Sequence, residues 1–127
     1  MPLIERFEDI DGWKEARKLV QMVYGLCAKE PLAKDFGMKD QLRRAAVSVM
    51  TNVAEGFDCD SDLEFARFLG IARRSAVEVQ SLLYAALDVH YITQAEFDQH
   101  YEQARIAKAL IGGFKRSLIK KHANRVS

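Results

Sequence analysis

No apolar run in this chain approaches the about 20 residues that a bilayer-spanning helix needs, because charged residues interrupt every candidate stretch. Cysteine is scarce: Cys27 and Cys59 lie far apart and match no metal-ligand spacing. The first residues lack the apolar run of a signal peptide, so a reduced, cytoplasmic protein without membrane contact is expected. The three histidines, His90, His100 and His122, are scattered, and none stands three or four residues from another histidine or a cysteine. They read as surface or cap residues. A carboxylate-bridged di-metal site in a helical core needs Glu-x-x-His pairs on two helices, and no such pair points inward here. The acidic loop Asp58-Cys59-Asp60-Ser61-Asp62 alternates like a calcium loop. Leu63 nevertheless stands where the turn glycine belongs, and Leu69 where the closing glutamate belongs. Ser117-x-x-Lys120 has serine-lysine spacing with no second motif beside it. No catalytic residue, metal or cofactor is expected from these patterns, and the sequence shows no internal repeat, low-complexity segment or strand signal.

What is present is helical periodicity. At 127 residues the chain is one domain's length, able to bury around two thirds of its unfolded surface. Residues 1 to 11 read as a short arm whose Leu3, Ile4, Phe7 and Ile10 pack on the remainder. From Gly12 to about Lys29, Trp13, Ala16, Val20, Val23, Tyr24 and Cys27 recur at three- and four-residue steps. Pro31 and Gly37 bracket a connection, with Gly37 placed where a left-handed residue would be useful. A second helix runs from about Met38 to Gly56, the expected stop. Ser61 with Glu64 forms a capping box for a third, whose stripe Phe65, Phe68, Leu69, Ala72, Ala76, Val79, Leu83, Ala86 and Leu87 persists over about six turns. Ile71, Ser75 and Leu82 add a flanking apolar line, which implies a second neighbour. Thr93 with Glu96 is a further capping box, opening a fourth helix whose core line is Ala104, Ala107, Leu110, Ile111, Phe114 and Leu118. Gly112-Gly113 should weaken or bend that helix by roughly 1 kcal/mol per glycine, or else admit another backbone. Beyond about His122 the chain is polar and expected to fray. Four helices with short connections predict an all-α, antiparallel up-down four-helix bundle.

One helix carries an unusual polar line. Winding residues 41 to 56 at roughly 100° per residue aligns Gln41, Arg44, Ser48, Asn52 and Glu55, beside an apolar line of Met38, Leu42, Ala45, Val49 and Val53. Glu55 as an acid or base would need a nucleophile or cofactor motif, and none accompanies it. The remaining reading is structural: a buried network reaching Ser75 and Glu78, with Arg44 facing Glu78, that fixes helix register or subunit pairing. Charge is also uneven. The net charge is +1, yet all 18 acids precede Arg105, and from there Arg105, Lys108, Lys115, Arg116, Lys120, Lys121 and Arg125 stand without an acid. Such a segment is either the solvated side of a helix or a surface for an anionic partner.

The run Gln41-Leu-Arg-Arg-Ala-Ala-Val-Ser48, followed by Asn52-Val-Ala-Glu55-Gly56, resembles the signature of the bacterial four helix bundle proteins, also called the 23S ribosomal RNA intervening-sequence protein family. The resemblance extends through Trp13-x-x-Ala16, Val23-Tyr24, Pro31, Phe36-Gly37-Met38 and Phe68-Leu69-x-x-Ala72 with Ser75 and Glu78. It implies the up-down bundle, a ring of five subunits as in characterised relatives, and no established biochemical activity. A distant branch of the family assists a reverse transcriptase while binding nucleic acid. Two departures matter: the segment after Gly56 is acidic where relatives are often basic or serine-rich, and Arg74 stands where a glycine usually precedes Ser75.

The leading expectation is thus a non-enzymatic homo-oligomer, a ring of five, acting as scaffold or binding module. Five copies of the basic segment would share one surface for RNA or DNA backbone, with no aromatic stacking cluster beside the bases to read sequence. The alternatives are a protein-interaction module without nucleic acid, using apolar grooves between subunits, and, third, a small-molecule enzyme.

Overall fold

The computed structural model describes residues 4–126. Four helices make the architecture: α1 (Asp11–Cys27), α2 (Phe36–Phe57), α3 (Asp62–Asp88) and α4 (Gln94–Val126). Each packs on the next in order, and α1 closes the ring against α4. Every neighbouring pair is antiparallel, as the register of contacts shows. Cys27 lies by Lys39 and Tyr24 by Arg43; Ser48 meets Ser75 and Gly56 meets Phe65; Tyr84 meets Phe97 while Asp62 meets Arg125. The expected up-down four-helix bundle is what forms.

The core is built from short and aliphatic side chains. Leu19, Val23, Leu42, Val49, Val53, Leu69, Val79, Leu83 and Ile111 are fully buried, with alanines filling the narrow seams between them. The third-helix stripe lies inside, apart from half-buried Phe68 and Leu87. Most expected core positions of the other helices are buried as well, among them Ala16, Val23, Cys27, Val49, Val53, Ala104, Ala107 and Ile111, with local exceptions. Leu19 and Leu26 take the core places of α1, whereas Tyr24 is exposed under the Arg43 guanidinium, and Leu110 of α4 faces solvent.

The ends are fixed by side-chain caps. Asp35 caps α2 by accepting from the Met38 N–H, and Ser61 caps α3 by accepting from the Glu64 N–H. Only the α4 box is reciprocal: Thr93 Oγ1 accepts from the Glu96 N–H while Glu96 accepts from the Thr93 N–H. Glu64 turns instead to Arg67. The terminal helix does not fray at His122 but continues to Val126, tied down where Arg125 Nη1 lies 2.8 Å from Asp62 Oδ2 at the start of α3. In the arm, a 3-10 turn over Phe7–Asp9 sets Phe7 edge-on to Trp13. Leu3 and Ser127 lie outside the described residues.

Glycines act differently from expectation. Neither Gly37 nor Gly56 has a left-handed conformation; both are helical. The left-handed position is His90, at φ 64°, where the Tyr91 N–H reaches the Ala86 carbonyl and closes α3. Gly56 serves close approach, since a Cβ there would stand 2.8 Å from Phe68 Cβ. Gly12 does the same between α1 and Ile111 of α4. The Gly112-Gly113 pair interrupts nothing: α4 runs through it as one helix.

Candidate functional site

The polar line of α2 divides in two. Its middle is the expected network in small: Ser48 Oγ and Ser75 Oγ are 2.8 Å apart across the α2–α3 seam, and Asn52 Nδ2 donates to the Ser48 hydroxyl and carbonyl. Its ends are not buried. Gln41, Arg44, Glu55 and Glu78 are exposed, and Arg44 pairs with Asp40 one turn back on its own helix, not with Glu78. Short hydroxyl and amide groups fit the seam, whereas long charged side chains reach water without leaving their helix. The expectation of one buried row including an Arg44–Glu78 contact is therefore corrected to the triad Ser48, Asn52 and Ser75.

Two further buried polar groups escaped the sequence reading. His100, taken as a surface residue, lies between α4 and α1, with Nδ1 2.6 Å from the Glu96 carbonyl and Nε2 3.1 Å from the Met22 carbonyl. Gln103 donates to the Glu15 carbonyl at 2.8 Å. Both sit on core-facing turns of α4, where polar residue type hid the periodicity. Tyr91 likewise donates to Asp35 Oδ2, joining the α3–α4 connection to the α2 cap. The Met38 N–H, with the Tyr91 hydroxyl second, holds the Asp35 carboxyl below the usual range, and the Thr93 N–H with Lys29 does the same for Glu96.

The basic segment is less uniform than its sequence. Arg105 is clamped by Glu102, which lowers the Glu102 pKa and raises that of Arg105, and Arg125 is engaged with Asp62. Lys120 and Lys121 are exposed, and Lys108 is half-buried. Lys115 lies across α3, its Nζ 3.0 Å from where a Gly70 Cβ would stand. Arg116 and Arg73 converge over Gly112, with Arg116 Nη1 at 3.4 Å and Arg73 Nε at 3.6 Å from a Cβ built there. Arg73 belongs to α3 and had no local signal; only antiparallel register brings it beside the fourth helix. Among the described residues, Lys108, Arg73, Lys115, Arg116, Lys120 and Lys121 have no acidic partner.

The same α3–α4 face carries an aromatic cluster, contrary to expectation. The Phe97 and Tyr101 rings stack at 5.3 Å, and the half-exposed Tyr84 ring sits 4.8 Å from Phe97 and 5.8 Å from Tyr101. Among the described residues no group of three or more histidines, cysteines or carboxylates could hold a metal ion, and no helix is long and apolar enough to cross a membrane.

The fold and the polar triad on Ser48 and Ser75 fall within a segment that can be matched as a whole. A family model described as 23S rRNA-intervening sequence protein matches residues 8–113. The chain belongs to that family. The match ends at Gly113, so Lys115, Arg116, Lys120, Lys121 and Arg125 lie beyond it. A crystal structure from Bacteroides thetaiotaomicron, described as a protein of unknown function from the S23 ribosomal protein family, shares the fold with a TM-score of 0.75. The two are 20% identical, over 82% of this chain and 97% of that one. No curated protein matches the chain. Neither the family's description nor that neighbour's assigns an enzymatic activity.

Proposed function

We propose that this protein is a non-enzymatic, self-associating scaffold of the cytoplasm that binds the backbone of RNA or DNA through its fourth helix. The observation that supports backbone binding is the set of five bases on α4, Lys108, Lys115, Arg116, Lys120 and Lys121, that no acid neutralises within the described chain. Uncompensated cations on one rigid helix attract phosphate without reading sequence, and each phosphate contact releases counterions. Self-association, as a ring of five, is supported by the outer α2–α3 face. There Gln41, Arg44, Glu55 and Glu78 are exposed, leaving polar groups for a second copy to cover.

Retention of mixed RNA across a salt series tests the binding. Changing Lys115, Arg116, Lys120 and Lys121 to Glu should abolish it, and unaltered retention would remove the proposal from this surface. Mass in solution tests the ring. The second reading, a protein-interaction module without nucleic acid, is favoured by the exposed Tyr24, Val77 and Leu110, and gains if the native assembly carries protein but no nucleic acid.

A further inference from the structure

The groove between α3 and α4 has a chemical gradient along its length. Winding α4 at about 100° per residue places Phe97, Tyr101, Lys108, Gly112, Lys115 and Arg116 on one face. The same winding of α3 places Ala66, Gly70, Arg73, Val77 and Tyr84 on the facing one. One end of the groove is aromatic, with Tyr84 50% exposed over the Phe97–Tyr101 stack. The other end is cationic, with Arg73, Lys115 and Arg116 gathered over Gly70 and Gly112. Tyr101 and Gly112 are about 16 Å apart along the helix at 1.5 Å per residue, the reach of a few nucleotides.

Three unpaired cations held against two glycines repel one another, and an anion laid over them relieves that repulsion. The glycines lower the groove floor, since no side chain stands between the cations and the helix backbones. α4 has no acid beyond Glu102, and on the facing side of α3 the same winding places acids only near the two ends of the groove, Asp62, engaged by Arg125, and Asp88 beyond Tyr84. A duplex presents phosphates but shields its bases, so it could use only the cationic end. A single strand offers both phosphate and an open base face, matching both ends at once.

We propose that the α3–α4 groove is a track for a single nucleic-acid strand, with Arg73, Lys115 and Arg116 on phosphates and the Tyr84–Tyr101 edge under a base. This rests on the backbone-binding reading above and assigns it a strand state and a second contact. The specific role of Tyr84 is to present a π-face; its neighbours Phe97 and Tyr101 hold the ring upright. Binding is tolerant of sequence, because stacking accepts every base.

The test uses the full chain, fluorescence anisotropy, and labelled oligo(U), oligo(dT) and a mixed-sequence duplex, each of about 12 nucleotides or base pairs, within the site sizes such surfaces occupy. Tyr84→Leu, which keeps an apolar side chain but removes the π-face, should weaken single-strand binding about 5-fold or more and leave duplex binding unchanged. Tyr84→Phe should bind as the natural protein does. Arg73→Ala with Arg116→Ala should weaken every probe and flatten the single-strand salt dependence by about 1.4 logarithmic units per logarithmic unit of salt. Tighter binding of either oligo(U) or oligo(dT) than of duplex supports the track and names the sugar. If Tyr84→Leu binds single strands normally while the arginine variant is weakened, or if duplex is preferred, the track is overturned and backbone binding survives. If the natural protein binds no probe at low salt, both fail.

Discussion

Gly56 and Gly25 are both helical glycines, and the structure predicts opposite outcomes when each becomes alanine. At Gly56 the new methyl would stand 2.8 Å from Phe68 Cβ and 2.8 Å from Phe65 Cδ1. Carbon atoms rest at about 3.5 to 4.0 Å, so α2 and α3 would have to part by roughly 0.7 Å or more. The Phe65 ring can tilt, but Phe68 Cβ is fixed by the α3 backbone and cannot rotate away. Overpacking of this kind costs about 1 to 3 kcal/mol, against an intrinsic helix gain of at most about 1 kcal/mol, smaller in the last turn where Gly56 sits. The net loss is about 1 to 2 kcal/mol. Gly25 is exposed, with nothing within 4 Å of a Cβ, so Gly25→Ala keeps only the helix gain, likewise reduced by its place in the last turn of α1, about 0.5 kcal/mol. For a chain of this length 1 kcal/mol moves the melting temperature by about 3 to 5 °C. Thermal unfolding followed by far-UV circular dichroism, repeated at several protein concentrations to remove any contribution of association, should show Gly56→Ala melting lower and Gly25→Ala higher. A Gly56→Ala protein that melts at or above the natural one would refute the close-approach reasoning.

Two other outcomes follow from the buried and capping polar groups. Ser75→Ala removes the partner of Ser48 across the α2–α3 seam and should cost about 1 to 2 kcal/mol by urea denaturation, whereas Glu78→Ala, exposed on the same helix, should stay within about 0.5 kcal/mol for the isolated subunit. Acid stability should reflect Asp35 and Glu96. Both carboxyls are held below their ordinary values by hydrogen bonds, so the folded state binds those protons less readily than the unfolded one. Their stabilisation is complete above the unfolded carboxyl range near pH 4 and is lost as pH falls through the lower folded values. A pH series of unfolding should thus steepen below about pH 4, and Asp35→Asn should flatten it; an unchanged acid limb in that variant would contradict the assigned role of the Asp35 cap.

How much was legible depended on whether the information was local. The α4 capping box, Thr93 with Glu96, was readable because both partners lie within one turn, and the α3 stripe because its apolar residues keep one phase throughout. The Asp35 cap is local too, a bond from the Met38 N–H three residues on, but with Gly37 read as part of the connection the helix start was set at Met38; only the Tyr91 bond to the second Asp35 oxygen, far along the chain, had no local signal. His100 was misjudged, and Gln103 passed over, because residue type outweighs position when only periodicity is available, although both occupy core-facing turns. The polar row of α2 was seen, but which of its members would be covered depended on where α3 crosses it, and that crossing half-buries Ser48 and Asn52 while leaving Arg44 and Glu55 in water.

By itself, then, the sequence determined the helices, the antiparallel bundle and the family, because helix periodicity, caps and a contiguous signature are all written in nearest neighbours along the chain. Only the tertiary structure decided the composition of the candidate site. Arg73 joined Lys115 and Arg116, Tyr84 joined Tyr101, and Arg125 was withdrawn into an ion pair with Asp62. Each of the first two changes joins residues from α3 and α4, and the Arg125 pair does the same. The physical reason is register: antiparallel packing sets which turn of α3 faces which turn of α4, and side chains dozens of residues apart acquire a shared function only once that register is fixed.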